Sequence, residues 1–210
     1  MIKCIIFDLD NCILDTHTLG EHAIDPVLDA LDNPGLSKEI RERVGEALWT
    51  SSLDHVAELL NAPQKAIEQM RRAYSKLDAP QGISSYGDEN CINELPTINI
   101  LVTTGYKKLQ TQKIDQLNIR DLFSEVIIDE SDNPEKRKGK KAIFEEILLK
   151  YKLEKGEVLV VGDNPNSELG AGKEIGLKTV QTLRKGVKRW GAADYHVESL
   201  NELIDIVKAE

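Results

Sequence analysis

The sequence is poor in grouped metal-binding and redox side chains: its 210 residues include only three cysteines and four histidines. Cys4, Cys12 and Cys91 are scattered and odd in number, with no CxxC pair, and the histidines stand far apart. That argues against a disulfide framework or a zinc site and fits a reducing compartment. Positive charge is also scarce, 27 Lys and Arg against 36 Asp and Glu, for a formal net charge of −9. A surface this acidic repels nucleic-acid backbones and anionic membranes, so neither is an expected partner. An anionic substrate has to be drawn in locally, by a metal ion or by a few cations turned inward. Long hydrophobic runs are missing as well. The apolar stretch within residues 1–8 is far too short to cross a membrane, and acids interrupt it at once. It has neither the length nor the small-residue cleavage site of a signal peptide, so the cytoplasm is expected, with the chain a monomer or small homo-oligomer. No repeat of fixed period and no low-complexity tract is visible.

What is present is ordinary globular material, 40% apolar and 30% charged, enough for a core without metals or disulfides. Three short apolar runs, Cys4–Phe7, Ile98–Val102 and Val158–Val161, each end in small or polar residues and read as strands buried on both faces. Val126–Ile128 and Lys178–Leu183 read as further strands. Ile143, Phe144, Ile147, Leu148 and Tyr151 form one helical stripe, and Leu200–Val207 a closing helix. Strands alternating with helices predict a doubly wound, mostly parallel α/β sheet of Rossmann-like type.

Residues 17–82 break that rhythm. They hold no convincing strand, but Asp25-Pro26 starts a helix, Asn33-Pro34-Gly35 makes a turn, and Ser37 caps a helix over Lys38–Trp49. Leu53, Val56 and Leu60 form one stripe, and Ile67, Met70 and Tyr74 another. A small helical cap over 17–82 is expected, inserted into a core of 1–16 and 83–210, with linkers near Thr16 and Ala79–Tyr86.

Four segments carry chemistry. Asp8 and Asp10 follow the first strand, where alternate residues share a face, so both are expected to point at one site past its carboxyl end. Two such carboxylates repel unless one holds a proton or a cation lies between them, and magnesium is a suitable hard cation. Thr103 and Thr104 lie where the second strand opens toward a helix, as an anion cradle or a plain helix cap. The basic run Lys136–Lys141 is mostly a solvated face from which one lysine turns inward. Asp163 ends another strand as a metal ligand, and Glu168 follows to cap its helix, orient the lysine or hold a metal-bound water.

In this order and spacing the segments resemble the haloacid dehalogenase-like hydrolase superfamily, over nearly the whole chain. Asp8-Leu9-Asp10-Asn11-Cys12 is similar to its DxDx(T/V) motif, Thr103 to its strand-terminal Thr or Ser, and Gly162-Asp163 through Glu168 to GDxxxxD. Lys138, 25 residues before Asp163 and with the family's spacing to Phe144, resembles its lysine. Gly139 replaces a usual proline, Cys12 a Thr or Val, and Glu168 an Asp. The helical insert is similar to the small cap of subclass I. The resemblance implies a magnesium-dependent phosphatase for a small phosphorylated metabolite. Asp8 would be the nucleophile, Asp10 the acid and base, and Thr103 (with Thr104) and Lys138 the phosphate ligands. Mg2+ would be held by Asp8, Asp163 and the Asp10 carbonyl. Asp10 itself favours phosphoryl transfer over dehalogenation, because a halide leaves without a proton. A phosphomutase, and a catalytically silent binding module on the same fold, are the alternatives. His22, Arg41, Trp49, His55, Arg71, Arg72 and Tyr74 are candidate specificity contacts, each more plainly read as surface or cap core.

Overall fold

A computed structural model describes residues 1–20, 22–30, 44, 45, 53, 56, 63–133 and 135–210. Six strands pair side by side, all parallel: β1 (Cys4–Phe7), β2 (Ile98–Gly105), β3 (Glu125–Glu130), β4 (Val158–Gly162), β5 (Lys178–Thr182) and β6 (Tyr195–Val197). Their order is β3-β2-β1-β4-β5-β6, so successive strands run outward from β1 on one side and from β4 on the other. The order reverses between β1 and β4, which is where ligands of open α/β sheets gather.

The apolar runs form strands because both faces are buried. Ile5, Phe7, Leu101, Leu159 and Val161 pack to one side with Ile114, Leu203 and Val207. Cys4, Ile6, Ile100, Val102, Val158 and Val160 pack to the other with Ile143, Phe144 and Ile147. The two layers come from side chains alternating at a period of two. Three helices matter for the site: α3 (Lys107–Leu117) on the first face, and α4 (Lys140–Tyr151) and α5 (Glu168–Glu174) on the second. A closing helix, α6 (Leu203–Ala209), follows a short 3-10 turn at Leu200–Glu202.

One expectation about local structure needs correction. The second strand runs on to Gly105, with Thr103 paired to Ile128 and Thr104 to Asp129, so neither threonine caps the following helix. The first N–H of α3, on Lys107, instead donates to Asp132 Oδ1 at 3.1 Å. The three-residue edge strand Tyr195–Val197 has no sequence signal, being too short and too polar for an apolar run.

Between β1 and residue 79 the described chain holds α1 (Asp25–Asp29) and α2 (Gln64–Tyr74), and no strand. Ile24, Val27, Leu28, Val44, Leu53, Val56, Met70 and Leu77 form a hydrophobic cluster of their own. The expected turn at Asn33-Pro34-Gly35, most of the helix over Lys38–Trp49, and Leu60 lie outside the described residues. The chain leaves and returns along paired segments: Asp15 N–H donates to Ser84 O, and Tyr86 N–H to Ile13 O. Arg184 clamps this junction. It donates to Cys12 O and, through two nitrogens at 2.9 Å each, to the Asp88 carboxylate. No helix among the described residues is long and apolar enough to cross a membrane.

Candidate active site

β1 ends at Phe7, and Asp8 follows in register with Cys4 and Ile6, on the face covered by α4 and α5. Its carboxylate is buried and accepts from Lys140 Nζ at 2.5 Å. The same ammonium donates to Glu168 Oε2 at 2.8 Å. Carboxylate oxygens of Asp8, Asp163 and Glu168 all lie within 4.8 Å of one another. Side chains from three separate strand–helix connections therefore meet at the sheet's switch point.

The inward lysine is Lys140, which corrects the expectation for Lys138. Lys138 is half exposed and its Nζ pairs with Glu146 at 2.7 and 2.8 Å. The reason is periodicity. α4 begins at Lys140, and Ile143, Phe144 and Ile147 follow on its buried stripe at spacings of three, four and seven. Lys140 is the first residue of that stripe, whereas Lys138 precedes the helix. Buried Asp129, at the end of β3, fixes the turn by accepting from the Lys138 N–H at 2.9 Å. Asp129 was missed in the sequence; its only signal is an acid closing a strand.

Glu168 sits two per cent exposed at the start of α5, with Oε1 accepting from the Asn164 N–H at 2.6 Å. A Cβ on Gly162 would stand 2.3 Å from that Oε1, so only glycine lets Glu168 fold against the end of β4. Glu168 thus holds the Lys140 ammonium through Oε2 and the Asn164 N–H through Oε1.

Asp10 does not share the Asp8 cluster. Beyond Phe7 the chain stops being a strand and wraps: the Leu9 carbonyl accepts from the N–H groups of Cys12, Ile13 and Leu14, and Asn11 takes φ +54°. The two-residue alternation lapses there. Asp10 turns to α3, accepting from Lys113 Nζ at 2.8 Å and Gln110 Nε2 at 3.0 Å. Thr103, buried on the same face, accepts from Gln110 Nε2 at 2.6 Å. Thr104, half-buried, makes no side-chain hydrogen bond among the described residues. Gln110 and Lys113 were missed, although they fall in register with buried Ile114 on an amphipathic helix.

The electrostatics divide the carboxylates. Burial pushes Asp8 up to about 7, with the Glu168 charge adding to it and Lys140 opposing. Burial, then Glu168 and Asp8, push Asp163 up to about 8. Burial also acts on Asp10, but the Lys113 charge and the hydrogen bonds from Lys113 and Gln110 outweigh it and hold that carboxyl below its usual range. Lys140 is raised despite its burial, by Asp8 and Glu168, and stays an ammonium. One lysine thus serves three clustered acids, which leaves a deficit of positive charge among hard oxygen donors. Such a donor set can hold a divalent cation.

Of the specificity candidates, Tyr74 stacks on Tyr106 with centroids 4.7 Å apart, and His22 pairs with Asp25. Arg41, Trp49 and His55 lie outside the described residues. A groove of about 770 Å³ beside α1 and α2, lined in part by Pro26, Gln69, Arg72 and Lys76, does not include Asp8, Asp10, Asp163 or Glu168 in its lining.

Sheet order and site together place a buried carboxylate and a buried lysine at the switch point of an α/β sheet. A family model described as haloacid dehalogenase-like hydrolase matches residues 2–176, and the chain belongs to that family. It is 26% identical to a glyceraldehyde 3-phosphate phosphatase of Pyrococcus abyssi, over 100% of this chain and 95% of the relative. Among solved structures it resembles a HAD phosphatase from Thermococcus onnurineus at 26% identity, with TM-score 0.65 and coverage of 100% and 99%. The L-2-haloacid dehalogenase of Xanthobacter autotrophicus shares the fold at 18% identity, with TM-score 0.60 and 99% of each chain covered.

Proposed function

We propose that this hydrolase is a magnesium-dependent phosphatase that cleaves a small phosphate monoester by way of an aspartyl-phosphate on Asp8. The observation that carries the reading is the buried Asp8 carboxylate, bonded to Lys140 and gathered with Asp163 and Glu168 where β1 and β4 end. Asp8 attacks phosphorus, and the phosphorus–oxygen bond to the alcohol breaks. Lys140 offsets the negative charge that this step brings together. Thr103 donates its hydroxyl to a phosphoryl oxygen. Asp10 protonates the departing alkoxide and takes a proton back from the water that hydrolyses the aspartyl-phosphate. Asp10 is ionised in the free site, and an arriving phosphate dianion, a like charge, drives it toward its protonated form. Magnesium would be held by the Asp8 and Asp163 carboxylates and the Asp10 carbonyl, and it supplies electrostatic stabilisation of the phosphoryl oxygens.

Residues 17–82 act in this reading as a cap on a core of 1–16 and 83–210. The separate hydrophobic cluster and the paired linkers support that division. The relatives' names point to a short phosphorylated carbonyl compound or sugar as substrate. Free, buried Cys4, Cys12 and Cys91 are compatible with a cytoplasmic setting.

The test is free phosphate release from glyceraldehyde 3-phosphate, phosphoglycolate, sugar phosphates and nucleoside monophosphates. Turnover should require magnesium and stop with chelator. Conversion of glucose 1-phosphate mainly to glucose 6-phosphate would replace this reading by a mutase, and no turnover of any kind would support a silent module.

The metal itself has a signature apart from turnover. Asp8 and Asp163 are raised from an ordinary 3.8 to about 7 and about 8. An acid whose folded value is raised contributes stability below its unfolded value and loses it as pH climbs through the folded value. The metal-free protein should therefore lose stability between about pH 4 and 8, and magnesium should restore it. Magnesium should raise the melting temperature clearly at pH 8 and little at pH 5, where protons occupy the same oxygens. An equal shift at both pH values, or none, would remove these acids as its ligands.

A further inference from the structure

Gln110 and Lys113 are polar side chains only 1% and 6% exposed, one helical turn apart on the sheet-facing side of α3. The packing of the core does not call for either, since an apolar residue would serve there at lower cost. Both point at Asp10. Lys113 binds Oδ1 and Gln110 binds Oδ2, so each carboxylate oxygen is tied to a different donor. The ion pair makes Asp10 an acceptor only, which fixes the amide: the Gln110 atom facing it is the NH2 group. That NH2 also meets Thr103 Oγ1. The threonine oxygen therefore accepts on this side, and its own proton is left to point elsewhere. Space for the arrangement is reserved by Gly105, where a Cβ would lie 2.9 Å from Gln110 Cγ and Cδ.

We propose that Gln110 and Lys113 are positioning residues that keep the Asp10 carboxylate apart from the Asp8–Asp163–Glu168 cluster, ready to serve the leaving group, while freeing the Thr103 proton for a phosphoryl oxygen. The inference rests on the phosphatase reading and adds two residues to its machinery. It assigns the Thr103-Thr104-Gly105 end of β2, Gln110 and Lys113 to one device. The strand end offers the hydroxyl, the glycine makes room, and two polar positions one helical turn apart hold the acid.

A residue acting through Asp10 should matter most when the departing oxygen needs a proton. The experiment compares kcat/KM for p-nitrophenyl phosphate, whose leaving group departs without one, with that for an alkyl phosphate the wild type hydrolyses. In Lys113→Met and in Gln110→Leu the alkyl-to-aryl ratio should fall about tenfold, a part of the ~10²–10⁴-fold that acid–base assistance supplies in full. The ratio is independent of how much protein is folded. Gln110→Leu removes no charge, so it remains informative where Lys113→Met folds poorly. In an Asp10→Asn background, adding Lys113→Met should leave the ratio unmoved, and that pair removes both buried charges together. Ratios that stay at the wild-type value, or rise, in both single variants overturn the inference while leaving the phosphatase reading intact. A wild type that hydrolyses neither ester overturns that reading and this inference with it.

Discussion

Replacing Lys140 by Met should reduce kcat/KM by about 10²–10³-fold, whereas Lys138→Met should stay within about twofold of wild type. The first figure is what a preorganised donor is worth when it faces developing charge in a site shielded from water. Lys140 meets that description, with Asp8 at 2.5 Å and Glu168 at 2.8 Å and its side chain 7% exposed. Lys138 does not, since its partner Glu146 is itself more than half exposed. A surface pair of that kind contributes about 0–1 kcal/mol to stability and nothing to the site. Lys140→Met should also cost the metal-free protein about 3–5 kcal/mol, because a buried pair broken on one side leaves uncompensated charge. Steady-state kinetics and urea unfolding with chelator present check both statements. A crippled Lys138→Met beside a nearly normal Lys140→Met would mean that motif spacing had identified the lysine and the geometry had not.

Asp8→Asn should be the most damaging change to activity, with a loss of about 10⁴-fold or more, as for nucleophiles of other covalent enzymes. Asparagine keeps the shape and cannot form the phosphoenzyme. Its effect on stability should have a pH dependence of definite sign. Asp8 is raised to about 7 from an ordinary 3.8, chiefly by burial and then by the Glu168 charge, against the pull of Lys140. Its stabilising contribution is complete below about pH 4 and is lost as pH rises through about 7. Asparagine does not titrate, so without metal the variant should gain on the wild type as pH rises from 5 to 8.5. Phosphate release together with chelated unfolding curves at the two pH values tests this. Retained turnover would eliminate Asp8 as nucleophile, and a gain toward low pH would contradict the assigned shift.

Both proposals about charge depend on positions where an ionisable residue lies in register with an apolar stripe. Lys140 heads the stripe of Ile143, Phe144 and Ile147, and Lys113 sits beside Ile114 on α3. That register was readable in the sequence, and it is stronger evidence for an inward lysine than the separation from Asp163. The separation from Asp163 points to Lys138 only while the start of the helix, at Lys140, is left out of account. Asp10 turns to α3 and stays out of the Asp8 cluster for a related reason. The rule that alternate residues share a face holds only while the backbone is extended, and the extended segment ends at Phe7.

The sequence by itself determined the strand nuclei, because continuous β-branched runs have few other ways to bury both faces. It also determined Asp8 and Asp163 as residues at strand ends, since a carboxylate closing an apolar strand has nowhere to go but the rim, and Glu168 as an acid opening the helix that follows. Only the tertiary structure decided which lysine reaches Asp8, that Asp10 belongs to α3, that Asp129 fixes the turn before α4, and that Tyr195–Val197 completes the sheet. The first two of those outcomes depend on hydrogen bonds between residues a hundred or more positions apart, Lys140 to Asp8 and Gln110 to Asp10. Local propensity has no term for such a partner. It becomes available only once the sheet order has brought β1, β2 and β4 side by side.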